Sequence, residues 1–170
     1  MKDVTSSLRH RITTSPAAVP VTRLVLDTNV WLDWLLFEDP EVTPVKAAVA
    51  AGRAEVFVDD AVESELVRVL AYPFGIKTLD IEKQAELLAQ CRRIARKSEG
   101  ENRKAEVNLL PKCEDPDDQK FLELALACGA AYLVSRDRAL LELAWHKARP
   151  LPYRIVTPAQ LGATLKNCDG

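Results

Sequence analysis

The chain has 170 residues, which suits one domain with enough buried surface to form a core. Hydrophobic residues make up 48% and charged residues 28%, an ordinary globular composition, and no segment approaches the ~20 apolar residues of a membrane span. The formal net charge of −2 excludes a global basic field, so nucleic acid would have to be held by a local patch.

The number and spacing of the cysteines and histidines argue against a zinc protein. The four cysteines stand at positions 91, 113, 128 and 168, with no C-x-x-C pair, and the histidines are His10 and His146. A zinc site usually needs a closer set of Cys and His ligands. Scattered cysteines are typical of a reduced, cytoplasmic setting.

In chain order, a polar Ser/Thr-rich stretch at 1–20 predicts a flexible tail, residues 21–165 an ordered domain, and 166–170 a C-terminal tail. Apolar runs predict strands at 23–26, 54–58, 131–135 and 153–156, with a possible short strand at 104–108. Helical patterns fall at 44–51, 61–71, 80–98, 116–128, 138–147 and 158–165. The segment 30–37 is apolar nearly all round, which indicates deep burial or an association surface, and we expect a homodimer.

This alternation of strands and helices predicts a doubly wound, three-layer α/β/α fold with a central parallel sheet. Ligands in such sheets bind beyond the carboxyl ends of the strands. The polar residues that directly follow each predicted strand are therefore the first candidates for a functional site.

Two acids follow predicted strands. Asp27 ends the first strand in L-V-L-D-T-N, where it could line the crevice or accept turn hydrogen bonds with Thr28 and Asn29. Asp137 follows the strand at 131–135, and an N-cap of the next helix explains it just as simply.

Asp118 is selected by helical phase. Asp115 can cap the helix with Pro116 at its first position, which places Asp118 in the first turn, where the helix dipole favours acids. Asp118 also leads the apolar stripe that continues through Phe121, Leu122, Ala125 and Cys128, whereas Asp117 points about 100° away. An inward carboxylate is costly unless it is paired or bound to a cation, so a functional Asp118 is favoured.

The helix at 61–71 carries two glutamates that periodicity alone cannot separate. Asp60 and Glu63 resemble a capping box, which would give Glu63 a structural role. Glu65 is then the better candidate for a site. Several carboxylates in one crevice repel each other without cations, and one or two Mg²⁺ or Mn²⁺ ions suit oxygen ligands and phosphodiester hydrolysis.

Four motifs together resemble the PIN domain family, in particular the branch described as toxins of toxin–antitoxin pairs. They are L-V-L-D-T-N-V at 24–30, E-L-x-R-V-L at 65–70, D-P-D-D-x-K-F-L-E-L-A at 115–125 and L-V-S-R-D at 133–137, within a resemblance spanning about residues 22–165. The resemblance implies a Mg²⁺- or Mn²⁺-dependent endoribonuclease that cuts single-stranded RNA with a metal-activated water, and a small antitoxin protein as partner.

The resemblance also assigns residues. The metal-binding and catalytic acids fall on Asp27, Glu65, Asp118 and Asp137. Asn29 and Ser135 fall on supporting polar positions, and Asp115 or Asp117 could share the role of Asp118. Two alternatives stay open: a housekeeping RNA-processing nuclease, and a catalytically weak PIN-like module that binds RNA or protein.

A basic stretch contains Arg92, Arg93, Arg96 and Lys97. Because residues four apart are neighbours on a helix, these side chains could grip RNA phosphates. A solvated helix face is the commoner explanation of such a pattern.

Overall fold

A computed structural model describes residues 20–75, 77–98, 104–145 and 150–167. Residues 1–19 of the tail predicted at 1–20, both histidines and Cys168 lie outside these residues. None of the helices in the described part of the chain combines the length and apolar content needed to cross a membrane.

The core of the fold is a five-stranded parallel sheet in the order β3-β2-β1-β4-β5. The strands are β1 (Thr22–Leu26), β2 (Ala54–Val58), β3 (Ala95–Lys97), β4 (Tyr132–Val134) and β5 (Arg154–Val156). Leu24, Val25 and Leu26 at the centre of the sheet are fully buried, which explains why β1 is a continuous apolar run.

Helices flank the sheet, so the predicted three-layer α/β/α fold is confirmed. They are α1 (Thr28–Leu35), α2 (Thr43–Ala50), α3 (Asp60–Leu70), α4 (Ile81–Ile94), α5 (Lys104–Val107), α6 (Gln119–Ala127), α7 (Arg138–Leu143) and α8 (Pro158–Asn167). Short 3₁₀ turns at Pro40–Val42 and Pro116–Asp118 precede α2 and α6.

Two predicted elements were wrong. The helix predicted at 80–98 ends at Ile94, because residues 95–97 instead pair with Val56–Val58 and give β2 a second neighbour in the sheet. The possible strand at 104–108 is the short helix α5.

The other elements differ mainly at their ends. The helix predicted from residue 116 opens with a 3₁₀ turn, in which the Asp118 N–H donates to the Asp115 carbonyl at 3.1 Å. The helix predicted at 138–147 ends at Leu143, and the last helix continues to Asn167. Gly129 ends α6 as predicted, with a φ of 62° that favours glycine.

The strand order locates the crevice. From β1 the chain winds outward through β2 to β3, and then returns to place β4 on the other side of β1. The direction of winding therefore reverses between β1 and β4. Doubly wound sheets bind ligands at this point, beyond the carboxyl ends of the two strands.

Candidate metal centre

Asp27 lies at the end of β1, directly at the reversal point, and is only 3% exposed. Its Oδ1 atom accepts a hydrogen bond from the Val30 N–H at 2.8 Å and so caps α1, while Oδ2 accepts one from the Ser135 hydroxyl. Burial raises the pKa of the Asp27 carboxyl, and hydrogen bonds from Ser135, Val30 and Arg136 oppose that rise. The carboxylate is thus held in one orientation by two neighbouring elements.

Ser135 connects the ends of β1 and β4. Its fully buried hydroxyl donates to Asp27 and accepts the backbone N–H of Asp137 at 2.9 Å. Leu26 and Val134, the last residues of β1 and β4, are register partners. The residues that follow them, Asp27 and Ser135, therefore lie side by side. The supporting role expected for Ser135 stays a prediction.

Asp137 does cap a helix. Its Oδ1 atom accepts hydrogen bonds from the N–H groups of Ala139 at 2.8 Å and Leu140 at 3.2 Å, at the start of α7. The structural interpretation of Asp137 therefore holds. A metal role would have to use its other carboxylate oxygen.

Asp118, in contrast, does not cap a helix with its side chain. It precedes α6 with a backbone of φ −85° and ψ −13° and makes no side-chain capping bond. The residues it leads on α6 (Phe121, Leu122, Ala125 and Cys128) are all buried, as the helical phase predicts. Burial, followed by the charges of Asp137, Asp115, Asp27 and Glu65, raises the pKa of Asp118 to about 6.

Glu65 faces the same group of acids from α3. Its Oε1 atom accepts the Thr28 hydroxyl at 2.7 Å, and its Oε2 atom forms an ion pair with the Lys120 ammonium. Oε2 is buried and has no partner of hydrogen-bonding geometry among the described residues. This buried oxygen could therefore bind a metal ion only in place of the Lys120 ammonium.

The four acids are thus electrostatically coupled but do not form a finished ligand cage. Asp137, Asp27 and Glu65 all raise the pKa of Asp118, which places Asp118 within range of the charge of each of the other three. Nevertheless, within the described ranges no three His, Cys, Asp or Glu side chains are arranged to hold an ion as they stand. Asp27 instead accepts hydrogen bonds from Val30 and Ser135. Glu65 accepts one from Thr28 and forms an ion pair with Lys120.

The remaining supporting candidates are exposed. Asn29 is exposed on the first turn of α1, and Asp115 and Asp117 are exposed beside Asp118. Asp115 caps the 3₁₀ turn by accepting the Asp117 N–H at 2.9 Å, as its position before Pro116 predicts.

The predicted capping box was wrong. Asp59, not Asp60, caps α3 by accepting the Val62 N–H at 2.9 Å. Glu63 is consequently not in the capping position and accepts a hydrogen bond from the Arg92 Nε at 2.8 Å instead. Glu63 still has a structural partner, and Glu65 rather than Glu63 faces the acidic group.

The basic stretch is mostly ion-paired. Arg92 pairs with Glu63, Arg96 with Glu55 at 2.7 Å, and Lys97 with Asp60. These contacts favour a solvated face with internal ion pairs over a phosphate-binding surface. Arg93 is exposed, and its charge acts on Glu86. An RNA-binding role for these four residues stays a prediction.

Sequence reasoning did not assign roles to Thr28 and Lys120, which both contact Glu65. Both lie inside motifs already singled out, directly after Asp27 and two residues after Asp118. A lysine so close to several acids that share a crevice is the signal that could have identified it, since those acids need a positive charge.

Comparison with known protein families gives one result. Residues 23–139, well over half of the chain, match the PIN domain. The matched range contains all four candidate acids and ends before β5 and α8, so it is shorter than the resemblance over 22–165. None of the curated proteins compared with the chain matches it. With its parallel sheet and acids at the reversal point, the chain belongs to the PIN domain family, whose members are generally nucleases.

Proposed function

We propose that this protein is a divalent-metal-dependent endoribonuclease whose centre is formed by Asp27, Glu65, Asp118 and Asp137. The observation that carries the proposal is Asp118, a partly buried carboxylate without a capping role whose pKa is raised to about 6. Such a side chain weakens the fold unless a cation compensates for it. A divalent cation bound beside Asp118 would remove this penalty.

The residues fit a hard divalent cation. All four donors are carboxylates, which Mg²⁺ and Mn²⁺ prefer, and the buried Glu65 Oε2 atom already faces a positive charge, the Lys120 ammonium, whose place a metal ion would take. One or two Mg²⁺ or Mn²⁺ ions bound there would supply Lewis-acid chemistry, lowering the pKa of water and stabilising the leaving oxygen of a phosphodiester.

The rest of the centre orients these acids. The Val30 N–H and the Ser135 hydroxyl fix both oxygens of Asp27, and the Thr28 hydroxyl fixes Oε1 of Glu65. Ser135 also accepts the backbone N–H of Asp137, so one hydroxyl connects the acid that follows β1 with the acid that precedes α7. Preorganised ligands reduce the reorganisation that metal and substrate binding require.

RNA as substrate, single-stranded cleavage, a role as the toxin of a toxin–antitoxin pair, a protein antitoxin and a homodimer extend the proposal by family likeness. The expected products carry a 5′-phosphate and a 3′-hydroxyl. Asn29 and Asp117 are both exposed and are neighbours in sequence of Asp27 and Asp118. A partner that covers them would block access to the acids and so inhibit cleavage.

The test is cleavage of structured and unstructured RNA in Mn²⁺ or EDTA by wild type, Asp27→Asn and Asp118→Asn. Asp80→Asn is the matched control, because Asp80 caps α4 through the Lys83 N–H at 2.7 Å, as Asp27 caps α1, but belongs to none of the four motifs. We expect cleavage in Mn²⁺ with wild type and Asp80→Asn, and a loss of at least 100-fold (on the order of two decades) in the other two variants. Undiminished activity in both Asp27→Asn and Asp118→Asn would refute the carboxylate mechanism.

A further inference from the structure

The acidic centre contains its own cation. The Lys120 ammonium forms an ion pair with Glu65 Oε2, and the two side chains are 19% and 14% exposed, respectively. The same ammonium donates to the Asp117 carbonyl and lies 5.2 Å from the centre of the Phe121 ring. Lys120 is therefore held by a carboxylate, a carbonyl and an aromatic face.

This placement compensates charges that would otherwise repel. Glu65 and Asp118 both belong to the coupled group of acids, and Lys120 follows Asp118 by two residues, at the start of α6. A partly buried carboxylate is strongly destabilising when its charge has no partner. The ammonium thus supplies, from within the chain, a positive charge that is paired with Glu65.

We propose that Lys120 is an internal counter-ion that occupies the Glu65 side of the acidic centre and competes with divalent metal for Glu65. This inference rests on the proposed function, because it concerns the same metal centre. Metal can use Glu65 Oε2 only when the Lys120–Glu65 ion pair opens, so Lys120 is a positioning residue that sets the metal concentration at which the centre fills.

The competition has a definite sign. Loss of the lysine charge removes both a rival for Glu65 and a repulsive charge next to the entering cation, so metal affinity rises. A unit charge several ångströms from a divalent ion in a water-like dielectric changes affinity by roughly three- to tenfold. In metal-free protein the same loss leaves the Glu65 carboxylate without its ion-pair partner, so the melting temperature falls.

The experiment compares Mn²⁺ binding by wild type, Lys120→Met, Lys120→Arg and Lys46→Met, measured by calorimetry or by the paramagnetic resonance of free Mn²⁺. Lys46→Met is the matched control: Lys46 also donates to a carbonyl, that of Trp34 at 2.8 Å, and lies over an aromatic ring at 5.9 Å. It stands on α2, which contributes none of the four acids.

We expect Lys120→Met to bind Mn²⁺ about three- to tenfold more tightly than wild type, and Lys120→Arg and Lys46→Met to stay within about twofold. Without metal, Lys120→Met should melt about 2–4 °C lower than wild type, and this loss should disappear when Glu65→Gln is already present.

The failures are distinguishable. If wild type and Lys120→Met bind Mn²⁺ equally, or Lys120→Met binds more weakly, the competition is overturned while the metal centre stands. If neither protein binds Mn²⁺ at millimolar concentration, the metal centre of the proposed function is overturned, and the competition with it. A Lys120→Met stability loss that persists in Glu65→Gln overturns the counter-ion role.

Discussion

Replacing Asp118 with asparagine should stabilise the metal-free protein. Its pKa is raised from 3.8 to about 6, so the folded state binds the proton more tightly than the unfolded chain does. The resulting stability is present below about pH 4 and is lost as the pH rises to about 6, above which the full penalty applies. Asparagine keeps the shape of the side chain but carries no charge, so it removes this pH-dependent loss.

The size of the gain follows from the pKa. A rise of this size corresponds to about 3 kcal/mol if the whole shift is counted, and solvent screening of the partly exposed side chain reduces it to about 1–1.5 kcal/mol. For a domain of this length, we expect a melting temperature roughly 2–6 °C above that of wild type at pH 7.5. At pH 4.5 most of the difference should vanish.

The assay is thermal unfolding in EDTA at both pH values, with Asp117→Asn as the control. Asp117 is the exposed acid on the same turn and is not among the causes of the raised pKa of Asp118, so its removal should change the melting temperature little. In saturating Mn²⁺ the order should reverse, since bound ligand stabilises wild type by about 2.7 kcal/mol at one hundred times its dissociation constant. An Asp118→Asn protein that is less stable at pH 7.5, or a gain that is independent of pH, would refute the reasoning.

Three further variants test separate parts of the structure. Ser135→Ala removes the hydroxyl that donates a hydrogen bond to Asp27, and should lower the free energy of unfolding in urea by about 1–3 kcal/mol. Ser135→Thr should recover part of this loss, and an unchanged free energy in Ser135→Ala would contradict a stabilising Ser135–Asp27 hydrogen bond. Gly129→Ala should lower the free energy of unfolding by about 1–2 kcal/mol at its φ of 62° while leaving cleavage per folded molecule unchanged, and a neutral result would mean that the turn relaxes. Arg96→Ala should lower RNA affinity by no more than about twofold, because Glu55 already engages Arg96, and a tenfold loss would instead support a phosphate grip.

The sequence predicted the fold because its strongest patterns are also its most buried ones. Leu24–Leu26 and the stripe from Phe121 to Cys128 are buried, so period and burial coincide there. Residues 95–97 were misassigned because the local pattern continues a helix, whereas pairing with β2 gives those residues a strand conformation. That preference comes from a neighbour that is distant in sequence, and no local window contains it.

The candidate site was predictable to the extent that each acid followed from local geometry. Asp27 and Asp137 were identified because they follow predicted strands, and Asp118 because it begins the apolar stripe of its helix. Glu65 was preferred over Glu63 through a capping box that does not form, and resemblance to the family supported the same choice. The contacts of Thr28 and Lys120 with Glu65 join α1, α3 and α6, and such tertiary contacts have no periodic signature in the sequence.

The most direct test of the central claim is anomalous diffraction from crystals of the protein soaked in Mn²⁺. We expect one or two manganese peaks among the carboxylates of Asp27, Glu65, Asp118 and Asp137, and none there in crystals of Asp27→Asn. Manganese bound only elsewhere, or an unchanged peak in Asp27→Asn, would contradict the assignment of these acids as the metal centre.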